Sequence, residues 1–356
     1  MASAMNYPTI GLLIAILALC VLIGLGLAAR FAYPQRKRYR RGLAHLKAGR
    51  YDEALSEFTA IIDQDPMERV AYYDRGIAHH RKGDYDEAIA DFYRVLELDP
   101  EYASAHFGRG LAFRGKGDHE QAITEFSKVV ELAPERADAY TNRGVEYLRK
   151  RDYDRAVQDS TRAIELDARD PAAYFARGVA YRELRDMTKA IADFSEAILL
   201  DPTVAVLYSL RAWSYFDQAE YDLAAADYSV VIQMEPDNFT AYFNRGLAHN
   251  GGGRYEQAIR DFLTVINKRP QFADAYWSCG RAYHAQGRYQ EAITAYTSAC
   301  EIDPKNPDLY ANRAECYLQL RNYEEAWSDV AKAQGLGWEP DSGFLDELRQ
   351  ASGRVR

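Results

Sequence analysis

Prolines recur along the chain at intervals of thirty-four residues, and this period limits the fold more than any other feature of the sequence. A fixed repeat of this length is typical of solenoids, in which each unit buries its apolar face only against its neighbours. The register runs through Pro66, Pro100, Pro134, Ala168, Pro202, Pro236, Pro270 and Pro304. A search for function in such a chain therefore concerns surfaces more than enclosed pockets.

Small residues recur at two positions of every repeat. Counted from thirty-one residues before each proline position, the nine frames span 35–68, 69–102, 103–136, 137–170, 171–204, 205–238, 239–272, 273–306 and 307–340. Position twenty is alanine in all nine, at Ala54, Ala88, Ala122, Ala156, Ala190, Ala224, Ala258, Ala292 and Ala326. Position eight is glycine or alanine, at Gly42, Gly76, Gly110, Gly144, Gly178, Ala212, Gly246, Gly280 and Ala314. Two small residues per frame let two helices approach closely, which predicts a helical hairpin in each frame.

Large residues and turn residues fit the same interpretation. Position four is usually tyrosine, position eleven is Tyr, Phe or His, and position twenty-four is usually Phe or Tyr, so the large residues follow helical spacing. Turn residues such as Gly83-Asp84 separate the two helical stretches. Asp-Pro pairs such as Asp99-Pro100 end the second helix, because the residue before proline avoids the α region.

These motifs resemble the tetratricopeptide repeat, whose Gly-x-x-Tyr, Ala-x-x-x-Phe and closing proline recur over 35–340. The resemblance implies an all-α fold, an α-solenoid of about nine helical hairpins. Such arrays need a polar cover at their ends. In the segment 341–356, Phe344, Leu345 and Leu348 form an apolar stripe opposite charged residues, which predicts a capping helix and a short tail.

An arginine and an acidic residue vary together across the frames. Position seven is arginine and position twenty-three is Asp or Glu in eight frames, whereas the eighth frame has Cys279 and Ala295. Because a buried charge that loses its partner is costly, the joint loss predicts ion pairs within each hairpin. The alternative is a basic ladder that binds anionic ligands. The clearest predicted pairs are Arg75–Asp91, Arg143–Asp159, Arg177–Asp193 and Arg245–Asp261.

The N-terminal segment predicts a membrane anchor. After a tail of residues 1–9, residues 10–29 are twenty consecutive apolar or small residues, the length of a transmembrane helix. The basic flank begins in the juxtamembrane segment 30–34, and residues 30–41 carry six positive charges, so the repeats are expected on the cytoplasmic side of a bacterial inner membrane with the N-terminus outside. A cleaved signal peptide is the alternative, but the basic residues that precede such a segment are missing.

Charge and motifs disfavour nucleic-acid binding and catalysis. Residues 1–29 carry no charge and residues 30–41 carry +6, so a whole-chain charge of −9 leaves −15 on residues 42–356. An acidic body does not suit binding to phosphates. The four cysteines have no Cys-x-x-Cys spacing, and no phosphate loop or nucleophile elbow occurs. We therefore expect no enzyme activity, no metal and no cofactor.

The resemblance also implies a binding surface, because the first helices of tetratricopeptide repeats line a concave groove. Positions five and nine of those helices give an apolar, aromatic stripe, which is typical of protein-interaction sites. Its predicted members are Tyr73, Ile77, Phe107, Leu111, Phe175, Val179, Trp213, Phe243, Leu247 and Trp277. Thr141 and Ser209 interrupt this stripe and indicate separate sub-sites, and Arg281 and Glu315 make its C-terminal end polar. The Lys and Asn clamp of chaperone-tail receptors is missing at positions five and nine.

The favoured interpretation is a non-catalytic, membrane-anchored scaffold or adaptor that binds a protein or peptide segment in this groove and assists the assembly or regulation of a complex. Its architecture resembles bacterial envelope adaptors such as the lipopolysaccharide assembly protein B family, without their rubredoxin-like metal knuckle, and anchored repeat proteins that assist photosystem assembly. Two alternatives remain open. One is a permanent structural subunit of a membrane enzyme or transport complex, and the other is an exported repeat protein whose hydrophobic segment is removed.

Overall fold

The computed structural model describes residues 35–354, which form nineteen α-helices and no strand. The predicted transmembrane helix 10–29, the preceding tail and the segment 30–34 lie outside these residues. Within 35–354, every helix is too short or too polar to cross a bilayer.

The chain divides into two compact units, the first ending at Ala168 and the second beginning at Arg169. In the first unit, four hairpins contain α1 (35–47), α2 (Tyr51–Ile62), α3 (Arg69–Lys82), α4 (Tyr85–Leu98), α5 (Ala103–Lys116), α6 (His119–Leu132), α7 (Ala137–Arg149) and α8 (Tyr153–Leu166).

In the second unit, five hairpins and one further helix contain α9 (Pro171–Glu183), α10 (Met187–Leu200), α11 (Ala205–Asp217), α12 (Tyr221–Met234), α13 (Phe239–Gly251), α14 (Tyr255–Lys268), α15 (Ala273–Ala285), α16 (Tyr289–Ile302), α17 (Pro307–Gln319), α18 (Tyr323–Gly335) and α19 (Ser342–Ser352). Some first helices of successive hairpins also contact one another, as α9 does α11 and α15 does α17.

The two small positions of each repeat lie where the helices of a hairpin meet. The alanine at position twenty is fully buried in all nine repeats. A Cβ atom on Gly76 would lie 2.9 Å from the Phe92 ring, and one on Gly246 would lie 2.6 Å from the Phe262 ring. The aromatic ring at position twenty-four therefore packs directly on the backbone of the first helix, and a larger residue at position eight would displace it.

The turn inside each hairpin uses one residue with a left-handed backbone. Position fifteen has a positive φ in every repeat, and this residue is glycine in five of them, such as Gly83 with φ 95°. The other four are non-glycine residues with φ between 59° and 65°, at Arg151, Arg185, Ala219 and Arg321. A left-handed residue ends the first helix and reverses the chain.

The proline register has a direct structural role between hairpins. In the fourth, sixth and ninth repeats, the tyrosine at position four donates its hydroxyl hydrogen to the carbonyl oxygen of the preceding proline: Tyr140 to Pro134 at 3.2 Å, Tyr208 to Pro202 at 3.4 Å and Tyr310 to Pro304 at 3.3 Å. His106 takes the place of tyrosine in the third repeat, and its Nε2 lies 3.1 Å from the carbonyl oxygen of Pro100. These bonds connect the end of one hairpin to the start of the next.

Helix α19 covers the apolar end of the last hairpin. Leu348 is fully buried in one cluster with Leu318 and Val330. The Asp341 carboxylate accepts a hydrogen bond from the backbone N–H of Gly343 and caps the helix start.

Candidate functional site

Arginines of the first helices form two-pronged ion pairs with buried aspartates of the second helices. Arg75 donates from Nε to Asp91 Oδ2 at 2.8 Å and from Nη2 to Asp91 Oδ1 at 2.7 Å. The same geometry joins Arg143–Asp159, Arg177–Asp193, Arg211–Asp227, Arg245–Asp261 and Arg313–Asp329. The hydrogen bond to Asp91 raises the pKa of Arg75, so the guanidinium stays charged.

A hydroxyl of the preceding hairpin is the third partner of Arg75, Arg143, Arg211, Arg245 and Arg313. Arg75 Nη1 donates to Thr59 Oγ1 at 3.1 Å, and Arg245 Nη1 donates to Ser229 Oγ at 3.1 Å. Equivalent bonds run from Arg143 to Ser127, Arg211 to Ser195 and Arg313 to Thr297. We call each set of hydroxyl, arginine and aspartate a ladder rung. The pairing of Nε, Nη1 and Nη2 within the protein favours a structural role over anion binding.

The contact between the seventh and eighth repeats lacks all three members of the rung. Leu263 lies at the hydroxyl position, Cys279 at the arginine position and Ala295 at the acid position. Sequence reasoning found the paired loss of arginine and acid but missed the hydroxyl. Its signal is the frequent Ser or Thr at position twenty-five, in the hairpin before the arginine.

A second buried polar group lies in the fourth repeat and was also missed. Glu146 is fully buried, accepts a hydrogen bond from Arg114 Nε and lies 2.6 Å from His119 Nδ1. It occupies position ten, which holds a small residue in the other repeats, and Ser160 occupies the aromatic position twenty-four. The two departures together were a visible signal that this repeat packs differently.

Several predicted groove aromatics are parts of the hairpin core. Tyr73 lies 5.8 Å from Phe92 between ring centroids, and Phe107 lies 5.5 Å from Phe126. Phe243 packs in the same way on its own hairpin's phenylalanine at 5.8 Å. Phe175 and Val179 are half-buried against the core of the fifth hairpin, and Ile77, Leu111 and Leu247 are half-buried at position nine. These side chains present only part of their surface to a partner.

Trp213 differs from the other groove residues because 45% of its surface is exposed. On the same face of α11, Val206 is 50% exposed. Trp213 borders a pocket of about 520 Å³ that is also lined by Ser209, Tyr228 and Asn244. Since Ser209 occupies position five, where the neighbouring hairpins have Phe175 and Phe243, the small side chain leaves this pocket open.

Trp277 is held by hydrogen bonding. Its indole Nε1 donates to Asn312 Oδ1 at 2.8 Å, and the Arg281 guanidinium lies 5.4 Å from its ring centroid. Trp277 therefore orients polar groups of the neighbouring repeat.

The buried cysteines are poor nucleophiles. Burial raises the pKa of Cys279 and Cys316 to about 12 and that of Cys300 to about 11. Among residues 35–354, no group of three His, Cys, Asp or Glu side chains is arranged to hold a metal ion.

Comparison with protein families matches this hairpin array. The family described as tetratricopeptide repeat matches residues 39–103, 141–205 and 209–266, which is more than half of the chain. The chain belongs to the tetratricopeptide repeat family. A related family, described as TPR repeat, matches residues 110–151, 252–287 and 280–320.

Solved tetratricopeptide repeat structures are similar to parts of this chain, whereas no curated protein matches it. Pseudomonas aeruginosa pilF shares 20% identity over 57% of this chain and 92% of its own, with a TM-score of 0.50, which supports the fold. MamA shares 25% identity over 48% of this chain and 92% of its own, with a TM-score of 0.45. YrrB, titled a TPR protein with an unusual peptide-binding site, shares 22% identity over 52% of this chain and 95% of its own, with a TM-score of 0.45.

Proposed function

We propose that this tetratricopeptide repeat protein is a non-catalytic scaffold that binds an extended segment of a partner protein along its first helices, with Trp213 as the main anchor. The observation that carries the proposal is the combination of an exposed indole and an open pocket beside it. Tryptophan is enriched among residues that dominate binding energy, and such residues lie next to pockets that exclude water.

Polar groups in the same pocket suit a peptide backbone. Asn244 and Thr240 on α13 and Ser209 on α11 line the pocket and offer hydrogen-bond donors and acceptors. Val206 extends the apolar surface of α11 on the same face. An apolar side chain of the partner would pack on Trp213 while its backbone bonds to these polar side chains.

The remaining groove residues contribute less in this proposal. Tyr73, Phe107 and Phe243 are stacked on aromatic rings of their own hairpins, so binding buries less new surface on them. Truncation of these rings would disturb the hairpin as well as any contact with a partner. Substitution of Trp213 is therefore expected to reduce partner binding with less effect on folding than substitution of these rings.

A peptide selection tests the anchor. The full-length protein in detergent micelles is used to select binders from a displayed peptide library, and the dissociation constant of a selected peptide is measured by fluorescence polarisation. We expect Trp213→Ala to weaken binding at least tenfold, since loss of a tryptophan anchor costs about 2 kcal/mol or more. Tyr93→Ala is the matched control, because Tyr93 is 55% exposed but lies on the second helix α4.

Equal binding by wild type and Trp213→Ala would remove Trp213 from the proposal. Loss of binding in Tyr93→Ala alone would move the site to the second helices. Phe107→Ala measures how much a half-buried aromatic side chain contributes to peptide binding, when its dissociation constant is compared with that of wild type at the same folded fraction.

We further propose that residues 10–29 anchor the repeats at the cytoplasmic face of a bacterial inner membrane. The support is the length of the apolar segment and the positive charges that follow it. In a bacterial host, the full chain should resist carbonate extraction from membranes, and protease added to spheroplasts should leave the repeats intact. A mature N-terminus near Arg30 would instead indicate the exported form.

A further inference from the structure

A second pocket, on the last hairpins, is more polar than the one beside Trp213. It has a volume of about 410 Å³ and includes residues of α13, α14, α15, α16 and α17. Its polar lining comes from Asn250, Arg281, His284, Tyr296, Asn312 and Glu315. The sequence had marked Arg281 and Glu315 only as the place where the groove turns polar.

Buried polar atoms in this pocket lack partners. Tyr296 is fully buried, yet its hydroxyl has no hydrogen-bond partner within residues 35–354. The Asn250 Oδ1 atom is also buried without a partner there. Because an unpaired buried polar group costs free energy, both atoms favour a ligand that can bond to them.

The sixth repeat shows what the missing partner would be. Tyr228 occupies the position equivalent to Tyr296 and lines a pocket together with Asn244 of the next hairpin; burial raises the pKa of Tyr228, and the Asn244 side chain lowers it. Asn312 is equivalent to Asn244, but its Oδ1 accepts the hydrogen bond from Trp277 Nε1. The Tyr296 hydroxyl has no such amide partner and stays available in the pocket.

The charges in the pocket determine which ligand fits. Glu315 is half-buried, and burial raises the pKa of its carboxyl group, whereas His284 in the same pocket lowers that pKa by a smaller amount. The structure shows no hydrogen bond or ion pair from Glu315 to another residue in 35–354. Arg281 is exposed, stacks on Trp277 and stays hydrated. The half-buried carboxylate, not the hydrated guanidinium, is therefore the charge that gains most from a partner.

We propose that this pocket binds the guanidinium group of an arginine side chain carried by the partner segment. The inference rests on the proposed peptide-binding function and adds a requirement for a basic residue. A guanidinium has five donors in one plane and matches a carboxylate with two parallel hydrogen bonds. Its remaining donors would bond to Asn250 Oδ1 and the Tyr296 hydroxyl oxygen.

A titration with short capped peptides tests this assignment on the full-length protein in detergent micelles. The probes are acetyl-Gly-Ala-Arg-Ala-Gly-amide and the same peptide with Lys, Gln or Glu at the centre. Nitrogen-15 labelling of the four tryptophans gives few indole signals, of which Trp277 reports on this pocket and Trp213 on the anchor. We expect the arginine probe to shift the Trp277 signal, the lysine probe to bind several-fold more weakly, and the Gln and Glu probes to leave it unchanged.

Variants identify the groups that bind. Glu315→Gln should weaken binding of the arginine probe at least tenfold. Asn250→Ala and Tyr296→Phe should weaken its binding by smaller factors. Arg281→Gln should tighten binding because it removes a like charge. Glu347→Gln, an exposed carboxylate on α19, is the matched control and should change nothing.

Three results would overturn the assignment: no Trp277 shift with the arginine probe, an unchanged affinity in folded Glu315→Gln, or binding of the glutamate probe that Arg281→Gln abolishes. The last result would make the pocket an anion site. Because the test reads Trp277 and needs no partner protein, it is independent of the Trp213→Ala experiment, and either proposal can fail without the other.

Discussion

Position fifteen of each hairpin is a single residue on which the reversal of the chain depends. All nine residues there have a positive φ, although four of them carry side chains. A residue with a Cβ atom is strained in this region by about 1–2 kcal/mol relative to a right-handed helix. The tetratricopeptide turn therefore prefers glycine but accepts Arg151, Arg185, Ala219 and Arg321.

We predict that Gly83→Ala lowers the free energy of unfolding by about 1 kcal/mol, because φ at Gly83 is 95°. Steric crowding is not the cause, since no atom lies within 4 Å of a Cβ built at this position. Gly335→Ala is the matched control: Gly335 is the last residue of helix α18 and equally open, so alanine there should not lower the free energy of unfolding. Urea unfolding measures both, and equal effects of the two substitutions would contradict the conformational explanation.

At the scale of the element, the ladder rung is the main polar connection between one hairpin and the next. Asp261 is 5% exposed, and its arginine partner also reaches Ser229 of the preceding hairpin. Loss of one member leaves a buried group unpaired, whereas loss of all three leaves an apolar contact. The contact between the seventh and eighth repeats, with Leu263, Cys279 and Ala295, is a natural example of the second case.

We therefore predict that Arg245→Cys alone lowers the free energy of unfolding by about 3 kcal/mol, the cost of leaving a buried charge unpaired. The triple variant Ser229→Leu, Arg245→Cys and Asp261→Ala, which copies that contact, should lose less than the single variant. Chemical denaturation of single, double and triple variants gives the coupling free energies. Additive losses would show that the three side chains act independently.

The sequence predicts those structural features whose residues recur within one repeat frame. The arginine and aspartate lie in one frame and vary together, so their pairing could be inferred. The hydroxyl lies in the preceding frame and is replaced by Tyr93 or Leu263 in two repeats, which hid its role. The pocket beside Trp213 is open because the small Ser209 side chain does not fill it, and this empty space was not predicted from the sequence.

The polar pocket that includes Tyr296 and Glu315 was harder still to predict from the sequence. Asn244 and Asn312 occupy the same position in their repeats, yet Asn244 lines a pocket with Tyr228 whereas Asn312 accepts a hydrogen bond from Trp277. A residue's repeat position gives its location but not its partner, because the side chains around that position differ from one repeat to the next.

At the scale of the whole molecule, a repeat protein is stabilised by contacts between neighbouring hairpins, and its ends have a neighbour on one side only. At the C-terminal end of the second unit, α19 supplies the missing apolar surface through Leu348. The proposed arginine pocket includes α17, which belongs to the hairpin that α19 covers. The stability of this end is therefore important for the proposed site.

We predict that Leu348→Ala lowers the free energy of unfolding of the last hairpin by about 2–3 kcal/mol, because Leu348 is fully buried and its truncation leaves a cavity. Hydrogen exchange followed by mass spectrometry should show faster exchange in α17 and α18, with α3 to α6 of the first unit unchanged. Gln350→Ala is the control, since Gln350 is exposed on the same helix. If exchange rose equally in both units, unfolding would be cooperative over the whole chain, and α19 would stabilise more than its own hairpin.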